Sequence, residues 1–190
     1  KLSIEEVLLW QNVEVEISSS WADMAQKDFY VLPVNQSLET LYKMAFCPQM
    51  EPIYISMPMP HLPQNYQKEV TRCISKLENY FVVFDPRTIE IGVTNVAKKS
   101  LATYNQTVNR DLYWLISQSK KIISFFPIIV SSPGVINELR EGYETNKDVW
   151  LVYPSETASP FMTYFCNRLF KNEKEFFKFL GSSKYKPHKI

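Results

Sequence analysis

The feature that most constrains the fold is a regular alternation of short apolar runs with longer helical patterns, which begins at residue 53. The runs occupy residues 53–57, 81–84, 121–126 and 149–153, and each is followed within two residues by proline. Short runs that are apolar throughout are typical of strands buried on both faces. Apolar residues at helical spacing lie between the runs, and strands that alternate with helices in this way pair in parallel.

The predicted fold class is therefore α/β, with a three-layer, mostly parallel, flavodoxin- or Rossmann-like sheet and helices on both of its faces. Helices are expected at residues 66–79 and 107–119, from Pro133 to about residue 146, and from Pro160 onward. Ser132 and Ser159 each precede a proline, a combination that is typical of an N-cap followed by the first helical residue.

The first 51 residues follow a different pattern, with shorter elements. We predict a helix capped by Ser3, a strand at residues 13–17, where apolar residues alternate with glutamate, and a helix at residues 38–45. None of these pieces is long enough to bury a core alone. We therefore expect an N-terminal α+β appendage or tail of an upstream domain at residues 1–51, a folded domain at 52–180, and a basic tail at 181–190.

Composition bounds the function classes. The net charge is +1, with 45% apolar and 22% charged residues, which is typical of a soluble globular protein and argues against a nucleic-acid partner. The sequence has no apolar run of membrane-spanning length and no signal-peptide pattern, so we predict a cytoplasmic protein with no membrane partner. Two histidines and three cysteines, whose spacing fits no zinc motif, predict that there is no metal site. The glycine-rich motifs of P-loop and dinucleotide-binding sites are also missing.

In a parallel sheet, ligands bind beyond the carboxyl ends of the strands. The candidate substrate-binding residues therefore follow the predicted strands: Ser56, Met57 and Pro58 after the first, Asp85 after the second, Ser132 and Gly134 after the third, and Ser159 after the fourth. A helix that starts at Ser132 directs backbone N–H groups at a bound anion such as phosphate. Gly134 allows a ligand to approach the backbone closely.

Glu138 and Asp111 are the candidate catalytic carboxylates, and each has a plainer alternative. Glu138 falls about one turn into the helix after the third strand, on the side where ligands bind, but a first-turn carboxylate favoured by the helix dipole explains it equally well. Asp111, in the run Asn-Arg-Asp-Leu at 109–112, is by itself more simply explained as a surface aspartate paired with a basic residue. Tyr54 lies in the middle of the first strand, where an aromatic residue packs in the core by default.

Five sequence blocks occur in an order that resembles the nucleoside 2-deoxyribosyltransferase superfamily. They are Ile-Tyr-Ile-Ser at 53–56, Asn-Arg-Asp-Leu-Tyr-Trp-Leu at 109–115, Phe-Phe-Pro at 125–127, Ser-x-Gly-Val-x-x-Glu-Leu at 132–139 and Asn-Lys-x-Val-x-Leu at 146–151. The chain is most similar to the 2′-deoxynucleoside 5′-monophosphate N-glycosidase branch, and the resemblance covers about residues 52–180.

The resemblance implies a role for several candidate residues. Glu138 matches the glutamate that attacks the anomeric carbon, Asp111 the aspartate that assists at the sugar or base, and Tyr54 the tyrosine that contacts the glutamate. Ser132 matches a serine that binds phosphate, and Ser159 falls near a serine that a neighbouring subunit contributes to the phosphate site. The resemblance also implies a nucleoside or nucleotide substrate, a homodimer or larger assembly, and no cofactor.

Two departures from the family pattern support a second hypothesis. The N-glycosidase branch has a Gly-Ser-x-Arg loop after the first strand, whereas this chain has Ser-Met-Pro-Met-Pro-His at 56–61, without the arginine, and its first 51 residues have no counterpart. The sequence therefore predicts either an enzyme that cleaves or transfers at an N-glycosidic bond, or a non-catalytic nucleotide-binding or regulatory module. Because the chain starts at Lys1, we expect it to be a piece of a longer fusion, with an upstream nucleotide kinase-like ATPase as one candidate.

Overall fold

The structure, a computed structural model, describes residues 3–32, 37–59, 62–88, 107–155 and 157–182, together with residues 185 and 187. Most of the predicted basic tail at 181–190 and the end of the loop after the first strand, Pro60 and His61, lie outside the described residues. The chain divides into two compact units, Lys1–Asn35 and Gln36–Ile190. Among the described helices, none combines the length and the apolar character that crossing a membrane requires.

The first unit contains helix α1, Ile4–Met24, which corrects one prediction. Ser3 and Glu6 form a capping box: the Ser3 hydroxyl accepts a hydrogen bond from the Glu6 backbone N–H, and the Glu6 carboxylate accepts one from the Ser3 N–H. The strand predicted at residues 13–17 is wrong, because these residues form the middle of α1. Five alternating residues are a weak strand signal, and a helix that is nucleated upstream extends through them at little cost.

Five strands form the sheet of the second unit within the residues that the structure describes. They are β1 (Pro52–Ser56), β2 (Val82–Phe84), β3 (Lys121–Phe125), β4 (Asp148–Val152) and β5 (Arg168–Phe170). The order across the sheet is β2-β1-β3-β4-β5, and every neighbouring pair is parallel. This is the flavodoxin-like, doubly wound order, with its switch point between β1 and β3. The predicted fold class is confirmed, and β5 is a strand that the sequence pattern does not indicate.

Helices alternate with these strands. They are α2 (Leu38–Phe46), α3 (Gln64–Leu77), α4 (Asn109–Ile116), α5 (Pro133–Glu144), α6 (Pro160–Tyr164) and α7 (Glu173–Ser182), with a 3-10 turn at Pro86–Thr88. Helix α4 is wound as a π-helix, and Asp111 lies in its first turn. Because π-helical turns are rare and frequently occur at functional sites, α4 is a natural place to look for function.

Side chains that alternate along the strands give the sheet two different faces. One face packs against α3 and α7, in an apolar core that includes Ile53, Ile55, Leu77, Trp150 and Phe176. The other face is covered by α4 and α5 and carries Tyr54, Ser56, Ile122 and Ser124. The unit therefore has the three predicted layers, and the second face holds the polar residues.

Helix α5 approaches the sheet closely at Gly142. A Cβ added there would lie 2.3 Å from Ile122 Cδ1 and 3.0 Å from Val149 Cγ2. A side chain at residue 142 would have to displace the end of Ile122, so the glycine favours this close packing of α5 on β3 and β4. Glu138 is one turn earlier on the same side of the helix, so the close approach also brings its carboxylate down to the sheet.

Candidate active site

The candidate site lies at the carboxyl end of β1, beside β3, where the strand order reverses. In doubly wound sheets, ligands bind in the crevice at such a switch point. Tyr54 and Ser56 belong to the end of β1, and Glu138 reaches back to both of them from α5. The fold thus brings together residues that are 84 and 82 positions apart along the chain.

Glu138 is buried and has a hydroxyl partner on each carboxylate oxygen. Tyr54 Oη donates a hydrogen bond to Glu138 Oε1 at 3.0 Å, and Ser56 Oγ donates a short hydrogen bond to Glu138 Oε2. Only 9% of the Glu138 surface is exposed. Among the residues that the structure describes, no ion pair includes Glu138. Glu138 is therefore not a surface carboxylate, and the plainer alternative of a carboxylate favoured by the helix dipole stays open beside the catalytic one.

The surroundings raise the pKa of both Glu138 and Tyr54. Burial raises the pKa of Glu138 to about 8; the hydrogen bond from Ser56 acts against this rise, and the nearby Asp111 carboxylate adds to it. The hydrogen bond from Tyr54 and the positive charge of Arg110 also act to lower the pKa of Glu138, but they do not restore its usual value. Burial, and then the negative charge of Glu138, raise the pKa of Tyr54 well above its usual range. Tyr54 is therefore a constant donor, whereas Glu138 changes charge near neutral pH.

Asp111 is the second buried carboxylate of the site, and it is paired with its neighbour Arg110. Arg110 Nε donates to Asp111 Oδ1 at 2.6 Å, and a terminal guanidinium nitrogen donates to Oδ2 at 3.0 Å. The side chains of Arg110 and Asp111 are 10% and 11% exposed. The pair is close enough to Glu138 and Tyr54 to change the pKa of each. Asp111 thus has the basic partner that the plainer alternative predicts, but the pair is buried in the site.

The start of α5 has the form expected of an anion-binding helix terminus. Ser132 caps the helix, with its hydroxyl accepting a hydrogen bond from Val135 N at 3.5 Å, and Pro133 follows as the first helical residue. Among the described residues, nothing lies within 4 Å of the place where a Cβ at Gly134 would stand. Protein packing therefore does not require a glycine at this position, and the space beside it is open to a ligand.

Four of the predicted substrate-binding residues have surroundings that differ from those of Glu138 and Asp111. Met57 packs into the core on the opposite face of the sheet, and Pro58 is buried directly after β1. Asp85, at the end of β2, accepts hydrogen bonds from the backbone and guanidinium of Arg87 at 2.9 and 2.8 Å. Ser159 precedes α6, and its side chain makes no capping hydrogen bond. In the described parts of the chain, no hydrogen bond or ion pair connects these four residues with Glu138 or Asp111.

The sequence leaves two features of the site unrecognised. It identifies Ser56 as a substrate-binding residue, whereas the structure shows its hydroxyl bonded to Glu138. The spacing Tyr-x-Ser could have indicated this, because residues two apart on a strand lie on the same face. Arg110 is next to Asp111 in the sequence, but its burial with Asp111 has no local signal.

A separate cleft of about 690 Å³ lies at the amino ends of β1, β3 and β4. It is lined by residues that include Lys121, which is paired with Asp148 at 2.6 Å and with Glu51 at 3.7 Å. The amino ends of the strands are the wrong edge for a ligand in a parallel sheet, so this cleft is not the candidate site. Among the described side chains, no group of three or more His, Cys, Asp or Glu residues is placed to hold a metal ion.

No protein-family model matches this chain, and no curated protein matches its sequence. Solved structures do match it. A 2-deoxyribosyltransferase from Bacillus psychrosaccharolyticus is similar with a TM-score of 0.56 and 20% identity, over 73% of this chain and 99% of that chain. A conserved protein from Enterococcus faecalis V583 is similar with a TM-score of 0.51 and 11% identity, over 68% of this chain and 96% of that chain. At these identities the likeness establishes a shared fold.

Proposed function

We propose that the protein cleaves or exchanges the N-glycosidic bond of a nucleoside or a nucleoside 5′-monophosphate, as a member of the nucleoside 2-deoxyribosyltransferase superfamily. The observation that carries the proposal is the buried Glu138 carboxylate, which two hydroxyl groups hold at the switch point of the sheet beside Asp111. The fold shared with a 2-deoxyribosyltransferase supports the same chemistry. The five ordered sequence blocks, which resemble the N-glycosidase branch, support it independently of the fold.

The chemistry needs a carboxylate that faces the sugar. Breaking an N-glycosidic bond places positive charge on the sugar ring, which such a carboxylate stabilises or traps. In the proposed reaction, an oxygen of Glu138 bonds to C1′ while the bond from C1′ to the base nitrogen breaks, and the electron pair leaves with the base. Asp111 assists at the sugar or at the departing base, which needs a proton or hydrogen bonds. Water or a second base then attacks C1′ and releases Glu138, which gives hydrolysis or transfer.

Tyr54 and Ser56 position the nucleophile in this proposal. Each bonds one oxygen of Glu138, so together they fix the plane of the carboxylate. Hydrogen bonds to a charged acceptor are stronger than bonds to a neutral one, so both donors also favour the ionised form that attacks C1′.

A nucleotide substrate would bring its 5′-phosphate to the start of α5. Ser132 and the open backbone at Gly134 are proposed to bind it there. Ser159 of a second subunit is proposed to complete the phosphate site, so a homodimer is part of the proposal. The arginine missing after β1 leaves both nucleosides and nucleotides as candidate substrates.

We propose the cytoplasm as the location of this activity. The three cysteines, Cys47, Cys73 and Cys166, are all free thiols. Free thiols fit a reducing compartment, where disulfides are rare.

The proposal is tested by release of free base. Purified protein is incubated with deoxynucleosides and their 5′-monophosphates, with and without a second base as acceptor, and the products are separated by chromatography. Glu138→Gln keeps the shape of the side chain and removes the nucleophile, so it should lower kcat at least about a hundredfold. Glu144→Gln, on an exposed position of the same helix, is the matched control and should keep the activity. No base release, or equal rates for the two variants, contradicts the enzyme proposal.

One observation favours the alternative of a non-catalytic nucleotide-binding or regulatory module. Both oxygens of Asp111 are engaged by Arg110, so its carboxylate assists a leaving base only if this pair opens. A protein in which the pair stays closed would bind a nucleotide without cleaving it. Calorimetric binding of a nucleoside monophosphate, with no base release and the same Kd in Glu138→Gln, would support this alternative.

A further inference from the structure

Ser124, near the carboxyl end of β3, is a buried hydroxyl that the proposed mechanism does not use. None of its surface is exposed. Among the described residues, its Oγ is the buried side-chain polar atom that has no hydrogen-bond partner. Buried polar groups are almost always paired, since losing water without gaining a partner is unfavourable. The presence of an unpaired hydroxyl at this buried position therefore needs an explanation.

Ser124 lies directly beside Ser56 on the face of the sheet that carries the site. The parallel register of β1 and β3 pairs the two serines. Paired residues on neighbouring strands point to the same face, and the two backbones are roughly 4.8 Å apart. A rotation about χ1 therefore brings the two hydroxyl groups within hydrogen-bonding distance. Ser56 Oγ already donates a hydrogen bond to Glu138, but the same hydroxyl oxygen can also accept one.

We propose that Ser124 Oγ donates to Ser56 Oγ and completes a chain of hydroxyl groups that runs from β3 through β1 to the carboxylate of Glu138. A hydroxyl that accepts a hydrogen bond becomes a better donor, so Ser124 strengthens the hold of Ser56 on Glu138. Ser124 touches no substrate in this arrangement, which makes it a positioning residue. Its effect on the rate rests on the proposed function, whereas its effect on the carboxylate does not.

The charge state of Glu138 reports on this chain. Within the described part of the chain, the groups that act on Glu138 are Tyr54 and Ser56 from β1 and the ion pair of Asp111 with Arg110 from α4. Removing the Ser124 hydroxyl leaves all of them in place but weakens the bond from Ser56, which favours the protonated carboxyl. A buried hydroxyl without any role would behave differently, because its removal would leave the pKa of Glu138 unchanged and the fold equally or more stable.

The test is a titration of the Glu138 carboxyl carbon by ¹³C NMR, with its signal assigned by its loss in Glu138→Gln. In Ser124→Ala we expect the midpoint to rise by about 0.5 pH unit, the effect of one modest hydrogen bond. In an active protein, kcat/KM below the midpoint should fall about threefold, and kcat/KM well above it should stay the same. Ser119→Ala is the matched control, since it removes a buried hydroxyl that bonds Leu115 O before β3; it should not move the midpoint.

A double-mutant cycle separates the proposed chain from a general packing effect. In a Ser56→Ala background the bridge is missing, so Ser124→Ala should shift the midpoint no further. Ser124→Thr keeps the hydroxyl and should keep the wild-type midpoint. An unchanged midpoint in Ser124→Ala, or the same shift in both backgrounds, overturns the proposal. The titration needs no turnover, so a protein that releases no base refutes the proposed function and still tests Ser124.

Discussion

Burial replaces the hydration of Glu138 with hydrogen bonds from two hydroxyl groups, and this change in surroundings determines its charge. A carboxylate loses its solvation on burial, and two neutral donors replace only part of it. Arg110 is positive, but both oxygens of Asp111 hold its guanidinium, so little of its charge acts on Glu138. Because the resulting pKa of Glu138 is about 8, most of the unliganded protein holds this residue protonated at neutral pH.

Activity should therefore increase with pH. We expect kcat/KM to rise and level off above about pH 8, because only ionised Glu138 can attack C1′. Tyr54 should add no upper limit near this range, since its pKa is raised well above its usual value. A profile that is flat, or that falls between neutral pH and pH 8, contradicts the assignment of Glu138 as nucleophile.

The free energy of unfolding should change with pH in the opposite direction to the activity. Between the usual pKa of 4.5 and the folded pKa of about 8, the unfolded chain has released a proton that the folded chain still holds. The free energy of unfolding should therefore fall as pH rises through this window. Glu138→Gln removes the dependence and should exceed the wild type at pH 8 by on the order of a few kcal/mol, with little difference below about pH 5. Urea unfolding across this range measures the difference, and parallel pH curves would contradict the raised pKa.

Two helices place Glu138 and Asp111, the candidate catalytic groups. In α5, Ser132 and Pro133 set where the helix begins, and Gly142 sets how closely it lies on the sheet, so the height of Glu138 between them is determined. In α4, the π-helical winding turns less per residue than an α-helix, which keeps consecutive side chains closer around the axis. This helps Arg110 and Asp111 to pair while both are buried in the site.

The close approach of α5 is tested by Gly142→Ala. The added methyl overlaps Ile122 and Val149, so we expect a loss of about 1–3 kcal/mol in the free energy of unfolding, together with reduced activity as Glu138 moves away from the sheet. Gly181→Ala in α7 is the control, because no described atom lies within 4 Å of its added Cβ. It should be neutral or stabilising by up to about 1 kcal/mol. Equal unfolding curves for the two variants would show that α5 does not need this glycine.

At the scale of the whole molecule, the second unit holds the complete sheet and its helical layers. Helix α2 belongs to this unit, although the sequence places the start of the domain at residue 52. Lys43 in α2 is buried, and its ammonium donates to Glu78 O at 2.9 Å. Cys47 and Met50, which follow α2, are also buried. These contacts suggest a boundary near residue 36 and give the prediction at 52 a direct test.

Two truncations distinguish the boundaries. Removing residues 1–35 should leave the free energy of unfolding of the second unit within about 0.5 kcal/mol of its full-length value, because its core is internal. Removing residues 1–51 should lower it by roughly 3 kcal/mol or more, since Cys47 and Met50 no longer cover the core and the Lys43 bond is lost. Chemical denaturation measures both. Equal stability of the two truncated proteins would support the boundary at residue 52.

The strands show where a local sequence pattern is enough to predict secondary structure. Apolar runs ended by proline predict β1 to β4, because strands buried on both faces need apolar residues throughout. The three residues of β5, Arg168–Phe170, are too few and too mixed to give such a run. The alternation at residues 13–17 predicts a strand wrongly for a related reason. Five residues are too few to stop a helix that starts before them and continues through them.

The sequence by itself determined the α/β class, the parallel order of elements and the carboxyl edge of the sheet as the place for a site, because periodicity and chain direction are local properties. The family resemblance already implied a contact between Tyr54 and Glu138, but only the tertiary structure decided that Glu138 is buried, that Ser56 bonds its second oxygen, and that Asp111 is paired inside the site. These facts depend on how closely α5 and α4 pack on β1. A pKa depends on every group within a few ångströms, and the two hydroxyl groups that bond Glu138 come from residues 84 and 82 positions away in the chain.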